Sequence, residues 1–176
     1  MATITNQAAL SYNGVTTLSN IAVGELVEVL TATKTAADTT YTAGGVKTFV
    51  ISLVNSSAAA LTGLTVTDTL GSYTFSGNTL YPLTYVTGSL LYYVNGALQA
   101  TPTVTAAAPL TVTGVTVPAG GSAMLIYTAR VNEYAPLGVE DSITNTAAIT
   151  GGGLTSSVTA TETINASAAP QLAISK

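Results

Sequence analysis

Apolar and polar residues alternate with a period of two through almost the whole chain, and no segment sustains a helical stripe. Runs such as VKTFVISLVN, TGLTVTDTL, GSLLYYVNG, LTVTGVTV and SAMLIYTARV are rich in Val, Thr, Ile and Tyr. AGG, NSSAAA, GSYTFSGN and PAGG divide them. Many short strands with frequent turns predict an all-β chain built as an antiparallel, immunoglobulin-like β-sandwich rather than an α/β enzyme. At 176 residues there is room for one such domain with extra arms.

The arms are suggested by a partial internal repeat. TITNQAALSYNGVTTLSN near the start parallels SITNTAAITGGGLTSSVT near the end, and LTATK at 30–34 parallels LAISK at 172–176. The two offsets are about 140 residues, so the chain holds one period and a duplicated overlap, too little for two stacked repeats. Each terminus resembles a fragment of a neighbouring domain. The expected division is an N-terminal strand arm over 1–25, a sandwich over 26–165 and a C-terminal strand arm over 166–176.

Composition limits the functions open to such a fold. Charged residues make up 7% of the chain, against roughly a quarter in an ordinary globular protein. Weak surface repulsion favours self-association. A net charge of −4 with four basic residues argues against nucleic acid as a partner, because that binding rests on Lys and Arg neutralising phosphates. The absence of Cys and His excludes disulfides, thiolate metal sites and histidine bases. No cofactor or metal is expected, and no apolar run is long enough to span a membrane.

Three polar residues interrupt the apolar phase of their strands. Lys34 is in register with Leu30 and Ala32, Asp68 with Leu64, Val66 and Leu70, and Asn145 with Ile143, Ala147 and Ile149. Because successive side chains alternate faces, all three are expected to point inward. An unpaired buried charge is costly, so a lysine and an aspartate there must pair or become neutral. Plainer readings stand beside this one. Lys34 can lie with its stem on apolar surface and its ammonium in water. Asp68, close to a turn, can cap local backbone, and Asn145 can satisfy a buried peptide group. Lys47 is a rival amine in the phase of Phe49, Ile51 and Leu53, although its place at a strand start predicts exposure. Glu28 shares the phase of Lys34 and is a candidate ion-pair partner or substitute proton carrier.

From about residue 30 to 165 the sequence resembles the surface-protein repeat of bacteria and archaea known as domain of unknown function 11, related to isopeptide-forming pilin domains of Gram-positive bacteria. ATKTA, TAGGVKTFVISLVNSS, LTGLTVTDTL, YVTGSLLYYVNG, VPAGGSAMLIYTARV and ITNTAAIT carry the resemblance. It implies a bond between a first-strand lysine, Lys34, and a late-strand asparagine, Asn145, beside a catalytic acid, Asp68, as proton shuttle. A free Lys34 amine would attack the Asn145 side-chain carbonyl while protonated Asp68 hydrogen-bonds the carbonyl oxygen, and ammonia would leave. Such a single turnover makes the chain self-modifying without making it an enzyme.

The ends carry half of the same constellation each. Asn6 is in phase with Ile4, Ala8 and Leu10, and Lys176 with Leu172 and Ile174. An arm with an apolar face can complete a neighbour's sheet by strand addition, and head-to-tail contacts of that kind build filaments or rings. The expected function is a structural subunit of an extracellular filament, a pilus or a cell-surface or spore-surface appendage. It would assemble with itself by donor-strand exchange, with Lys176 and Asn6 as a candidate inter-subunit pair. The alternative is a stalk or binding repeat of a cell-surface adhesin, monomeric, with its arms folded on its own domain. In that reading Tyr73, Phe75, Tyr81 and Tyr85 of GSYTFSGNTLYPLTY could contact a receptor, or serve only core and loop packing. Glu133, Glu140 and Asp141 lack the spacing of a calcium loop. NSS at 55 and NAS at 165 match a glycosylation acceptor by chance in so Ser- and Thr-rich a chain.

Overall fold

The computed structural model describes residues 3–25 and 28–167. Lys176 and the rest of 168–176 lie outside the described residues.

Three two-residue turns set the hairpins. Asn13–Gly14, Ser76–Gly77 and Asn95–Gly96 have positive φ at both positions, which a type I′ turn requires and which Asn and Gly tolerate at least cost. The first turn folds the N-terminal segment on itself. Its strands are β1 (Thr3–Asn6), β2 (Ala9–Tyr12), β3 (Val15–Leu18) and β4 (Ala22–Glu25), with β2 paired to β3 and β1 to β4. Gln7 and Ser19 bridge the interruption, Gln7 Nε2 donating to the Ser19 carbonyl at 2.8 Å. The segment is therefore a hairpin instead of the single extended arm expected, and it adds to neither sheet of the sandwich.

The sandwich follows in chain order: β5 (Leu30–Ala36), β6 (Thr40–Tyr41), β7 (Val46–Asn55), β8 (Leu61–Asp68), β9 (Tyr73–Phe75), β10 (Asn78–Leu80), β11 (Leu83–Tyr85) and β12 (Leu91–Val94). It continues with β13 (Ala97–Gln99), β14 (Thr103–Ala107), β15 (Leu110–Val117), β16 (Ser122–Val131), β17 (Ser142–Gly151) and β18 (Val158–Ala166). One sheet runs β13-β12-β16-β7-β5, with β11 also on β16. The other runs β14-β15-β8-β17-β18-β6. All neighbours are antiparallel except β6 and β18. Among the described residues no helix is long and apolar enough to cross a membrane.

Alternation places the core between the sheets. Phe49, Ile51 and Leu53 of β7 and Leu125, Tyr127 and Ala129 of β16 face Leu64 and Val66 of β8 and Ile143, Ala147 and Ile149 of β17. Burying each large side chain contributes about 1.5–3 kcal/mol. The register of β8 against β15 shifts beside Gly114, whose φ of 82° lets the strand bulge and keep its apolar side inward.

Candidate functional site

The alternation that fills the core also carries polar groups into it. Lys34 on β5 belongs to the first sheet, and Asp68 at the end of β8 and Asn145 in β17 belong to the second. They are 4%, 1% and 0% exposed. Ala147 is paired with Asp68 across β8 and β17, so Asn145, two residues before it, falls on the same face just beyond the end of β8.

The three are joined through a fourth residue, Tyr127 of β16. Lys34 Nζ donates to Asp68 Oδ2 at 2.5 Å, and the Tyr127 hydroxyl donates to the same oxygen at 2.7 Å. Asn145 Nδ2 in turn donates to the Tyr127 oxygen at 3.0 Å. Asp68 Oδ1 accepts the Leu70 N–H at 3.0 Å. The Asn145 carbonyl oxygen is held by the Gly71 N–H at 3.1 Å and the Thr69 hydroxyl at 3.3 Å. Asp68 was expected on that oxygen; the turn after β8 occupies it instead. No buried side-chain nitrogen or oxygen among the described residues lacks a partner.

That turn is shaped for the purpose. Leu70 and Gly71 have φ of 52° and 72°, a conformation costly for leucine and free for glycine. A Cβ on Gly71 would collide with the Ile143 side chain. Leu70, fully buried, anchors the strained backbone in the core.

Aromatic rings enclose the amine. Lys34 Nζ lies 5.2 Å from the Phe49 ring centroid and 6.0 Å from that of Tyr127, which favours a cation at a buried position. Phe49 and Tyr127 stack at 5.5 Å, and Tyr85 meets Tyr127 edge-on at 6.3 Å. Burial pulls the Lys34 pKa below the ordinary lysine value, with the charge and hydrogen bond of Asp68, and then Glu162, pushing the other way. Burial first, and then Asp68, holds Tyr127 well above the usual tyrosine value, so it keeps its proton. The geometry thus offers an amine inclined to neutrality, a carboxylate bonded to it, and two donors on a carbonyl where an oxyanion would develop.

The Lys34 shift makes a prediction with a definite sign. Asp68→Ala removes the partner that raises the Lys34 pKa and leaves the burial that lowers it. Between that depressed value and the ordinary 10.5, the unfolded chain binds a proton that the fold does not, so stability rises with pH. The urea midpoint of Asp68→Ala is expected to be higher at about pH 9 than at about pH 7. The double variant Lys34→Met/Asp68→Ala should lack that rise. Equal slopes in the two proteins would show that Lys34 is not buried.

Other candidate residues fall elsewhere. Lys47 is not exposed at its strand start. Its side chain is only 11% exposed and reaches Asp38 at 3.5 Å, because the 38–45 connection covers that end of β7. Glu28 is exposed ahead of β5 and is not the partner of Lys34. The second carboxylate near Lys34 is Glu162, paired across β17 and β18 with Asn145. Asn6 is exposed on β1, and Lys176 lies outside the described residues. Of the four aromatics, Tyr73 and Phe75 are exposed, Tyr81 is half-buried and Tyr85 is in the core. Asn55 is fully buried, its Nδ2 donating to the carbonyls of Ala59, Val117 and Pro118. A glycan has no access to it.

The two sheets make an immunoglobulin-like antiparallel β-sandwich. No protein-family model matches the sequence, and no curated protein does; the resemblance to domain of unknown function 11 gains no support there. Solved structures do match. A variant of BcpA, the major pilin subunit of Bacillus cereus, superposes with a TM-score of 0.55 at 14% identity, covering 93% of this chain and 48% of that one. RrgB, the pilus backbone of Streptococcus pneumoniae, gives 0.54 at 14% identity, covering 69% of this chain and 31% of its own. The N-terminal domain of a Streptococcus gordonii adhesin gives 0.53 at 12% identity over 86% of this chain and 35% of the adhesin. This chain thus spans less than half the length of each, and the likeness is one of fold.

Proposed function

We propose that the chain is a structural, pilin-like subunit of an extracellular filament on a cell or spore surface, locked by an amide that forms between Lys34 and Asn145 with Asp68 as proton carrier. The observation that carries this reading is the buried chain of hydrogen bonds that runs from Lys34 through Asp68 and Tyr127 to Asn145 across the two sheets. Structural pilins among the similar folds support it.

Assembly is the second part of the proposal. In β17, Ile143, Asn145, Ala147 and Ile149 face the core; their counterparts in the repeat are Ile4, Asn6, Ala8 and Leu10. On the N-terminal hairpin Leu10, Tyr12, Val15, Leu18, Ile21 and Val23 are all more than half exposed. An apolar surface of this kind marks an interaction site. The hairpin would be donated to a neighbouring copy, head to tail, with Asn6 brought to Lys176 of the next subunit. Filaments seen by electron microscopy should disappear when residues 1–25 are deleted, leaving a folded monomer. Filaments formed equally well by the deletion variant would refute donation.

A second reading has its own support. The adhesin domain among the similar folds, with this chain covering 35% of that one, suits a stalk or binding repeat of a cell-surface adhesin. A full-length chain that stays monomeric at high concentration would favour it.

A further inference from the structure

Resting on the cross-link reading above, we propose that Tyr127 is a catalytic residue of bond formation, carrying the proton from Asp68 Oδ2 to the departing amide nitrogen of Asn145. The position of each hydrogen bond supports this. Asp68 spends Oδ1 on the Leu70 N–H, so only Oδ2 faces the amine. Tyr127 meets that same oxygen and is also the partner of Asn145 Nδ2. Asp68 has no hydrogen bond to Asn145, and the Asn145 oxygen is taken by Gly71 and Thr69. A proton arriving on Asp68 therefore reaches the leaving nitrogen through the tyrosine hydroxyl.

The steps balance. Lys34 passes one proton to Asp68 Oδ2 and becomes a neutral amine. Nζ attacks Cγ of Asn145, and the carbonyl electron pair moves onto Oδ1, where the Gly71 N–H and the Thr69 hydroxyl hold the negative charge. At tetrahedral Cγ the lone pair of Nδ2 is no longer conjugated and can accept. Tyr127 gives its proton to Nδ2 and takes the one on Asp68, and Asp68 receives the second proton from Nζ. The Cγ–Nδ2 bond breaks, ammonia leaves with the electron pair, and the Lys34–Asn145 amide remains beside a protonated Asp68.

Tyr127→Phe tests the role because it removes the hydroxyl and keeps the ring between Phe49 and Tyr85. Protein is made by cell-free translation, quenched in denaturant at successive times and weighed intact. The wild type should lose one ammonia, and Tyr127→Phe should do so about a hundredfold more slowly, at the low end of what positioned proton transfer supplies. Folding is checked without the bond by comparing Lys34→Met with Lys34→Met/Tyr127→Phe in urea; similar midpoints confine the effect to chemistry. A rate in Tyr127→Phe equal to wild type would overturn the relay and leave the bond standing. A wild type that never loses ammonia would overturn the cross-link reading, and the relay with it. Should Tyr127→Phe not fold, wild type in mixtures of light and heavy water decides. Two protons moving together give a rate that curves with deuterium fraction, and a straight line would overturn the relay.

Discussion

Wild-type protein, denatured and weighed intact, is expected to be lighter by one ammonia than its sequence requires, and Asp68→Ala is expected to have its full mass. The difference follows from the geometry of a single carboxylate. Lys34 Nζ has Asp68 Oδ2 at 2.5 Å, and among the described residues the other carboxylate that acts on its charge, Glu162, is the weaker influence. Without Asp68 no base among the described residues stands next to the amine. The oxyanion donors at Gly71 and Thr69 remain, but polarising a carbonyl does not deprotonate its attacker. Full mass in both proteins would reduce Lys34, Asp68, Tyr127 and Asn145 to a structural network. Loss of ammonia in both would shift the proton-carrying role to Glu162, which Glu162→Gln in the Asp68→Ala background would then abolish. Species heavier than one chain in the denatured wild type would extend the bonding to Lys176 and Asn6.

Stability gives the second large effect. A bond from residue 34 to residue 145 closes a loop of about 110 residues, for which chain entropy predicts about 5 kcal/mol. Asn145→Ala forgoes that and also strips a partner from the Gly71 N–H, a buried donor whose loss of partner costs about 1–3 kcal/mol. Against a total stability of about 5–15 kcal/mol, the urea midpoint of Asn145→Ala should fall by half or more. Nine tyrosines and no tryptophan make tyrosine fluorescence the natural probe. Lys34→Met separates the two contributions, because it prevents the bond and leaves the Gly71 contact in place. If Lys34→Met matched wild type in urea, the sandwich would owe nothing to a cross-link.

Much of this site could be read in the sequence because strand alternation is a local property. Lys34, Asp68 and Asn145 each share a phase with recognisable core residues, and that alone assigns a face. Tyr127 shares a phase in the same way, with Leu125 and Ala129, and that phase marks it only as a core aromatic. What its hydroxyl touches depends on how β16 lies over the ends of β8 and β17, which no local pattern records. Glu162 was missed for a related reason. Its pairing with Asn145 depends on the length of the irregular 152–157 connection, where Gly152 and Gly153, like Gly151 at the end of β17, have positive φ. The N-terminal hairpin, by contrast, had a signal. Asn13–Gly14 between alternating residues is a strong hairpin mark, and the match of this segment to β17 drew the reading toward one extended strand. Lys47 was misjudged because burial at a strand end is decided by the loop that folds over it.

Lys34 stands on the first strand of the sandwich and Asn145 on the last but one, one in each sheet. With the amide in place, tension applied along the chain would enter at β5, cross to β17 and leave through β18. The residues between 34 and 145 would lie outside the load path. Released, a stretch of about 110 residues would extend to roughly 370 Å. Bypassed, it adds no length, and an appendage made of such units would transmit a pull as a cable does, without acting as a shock absorber.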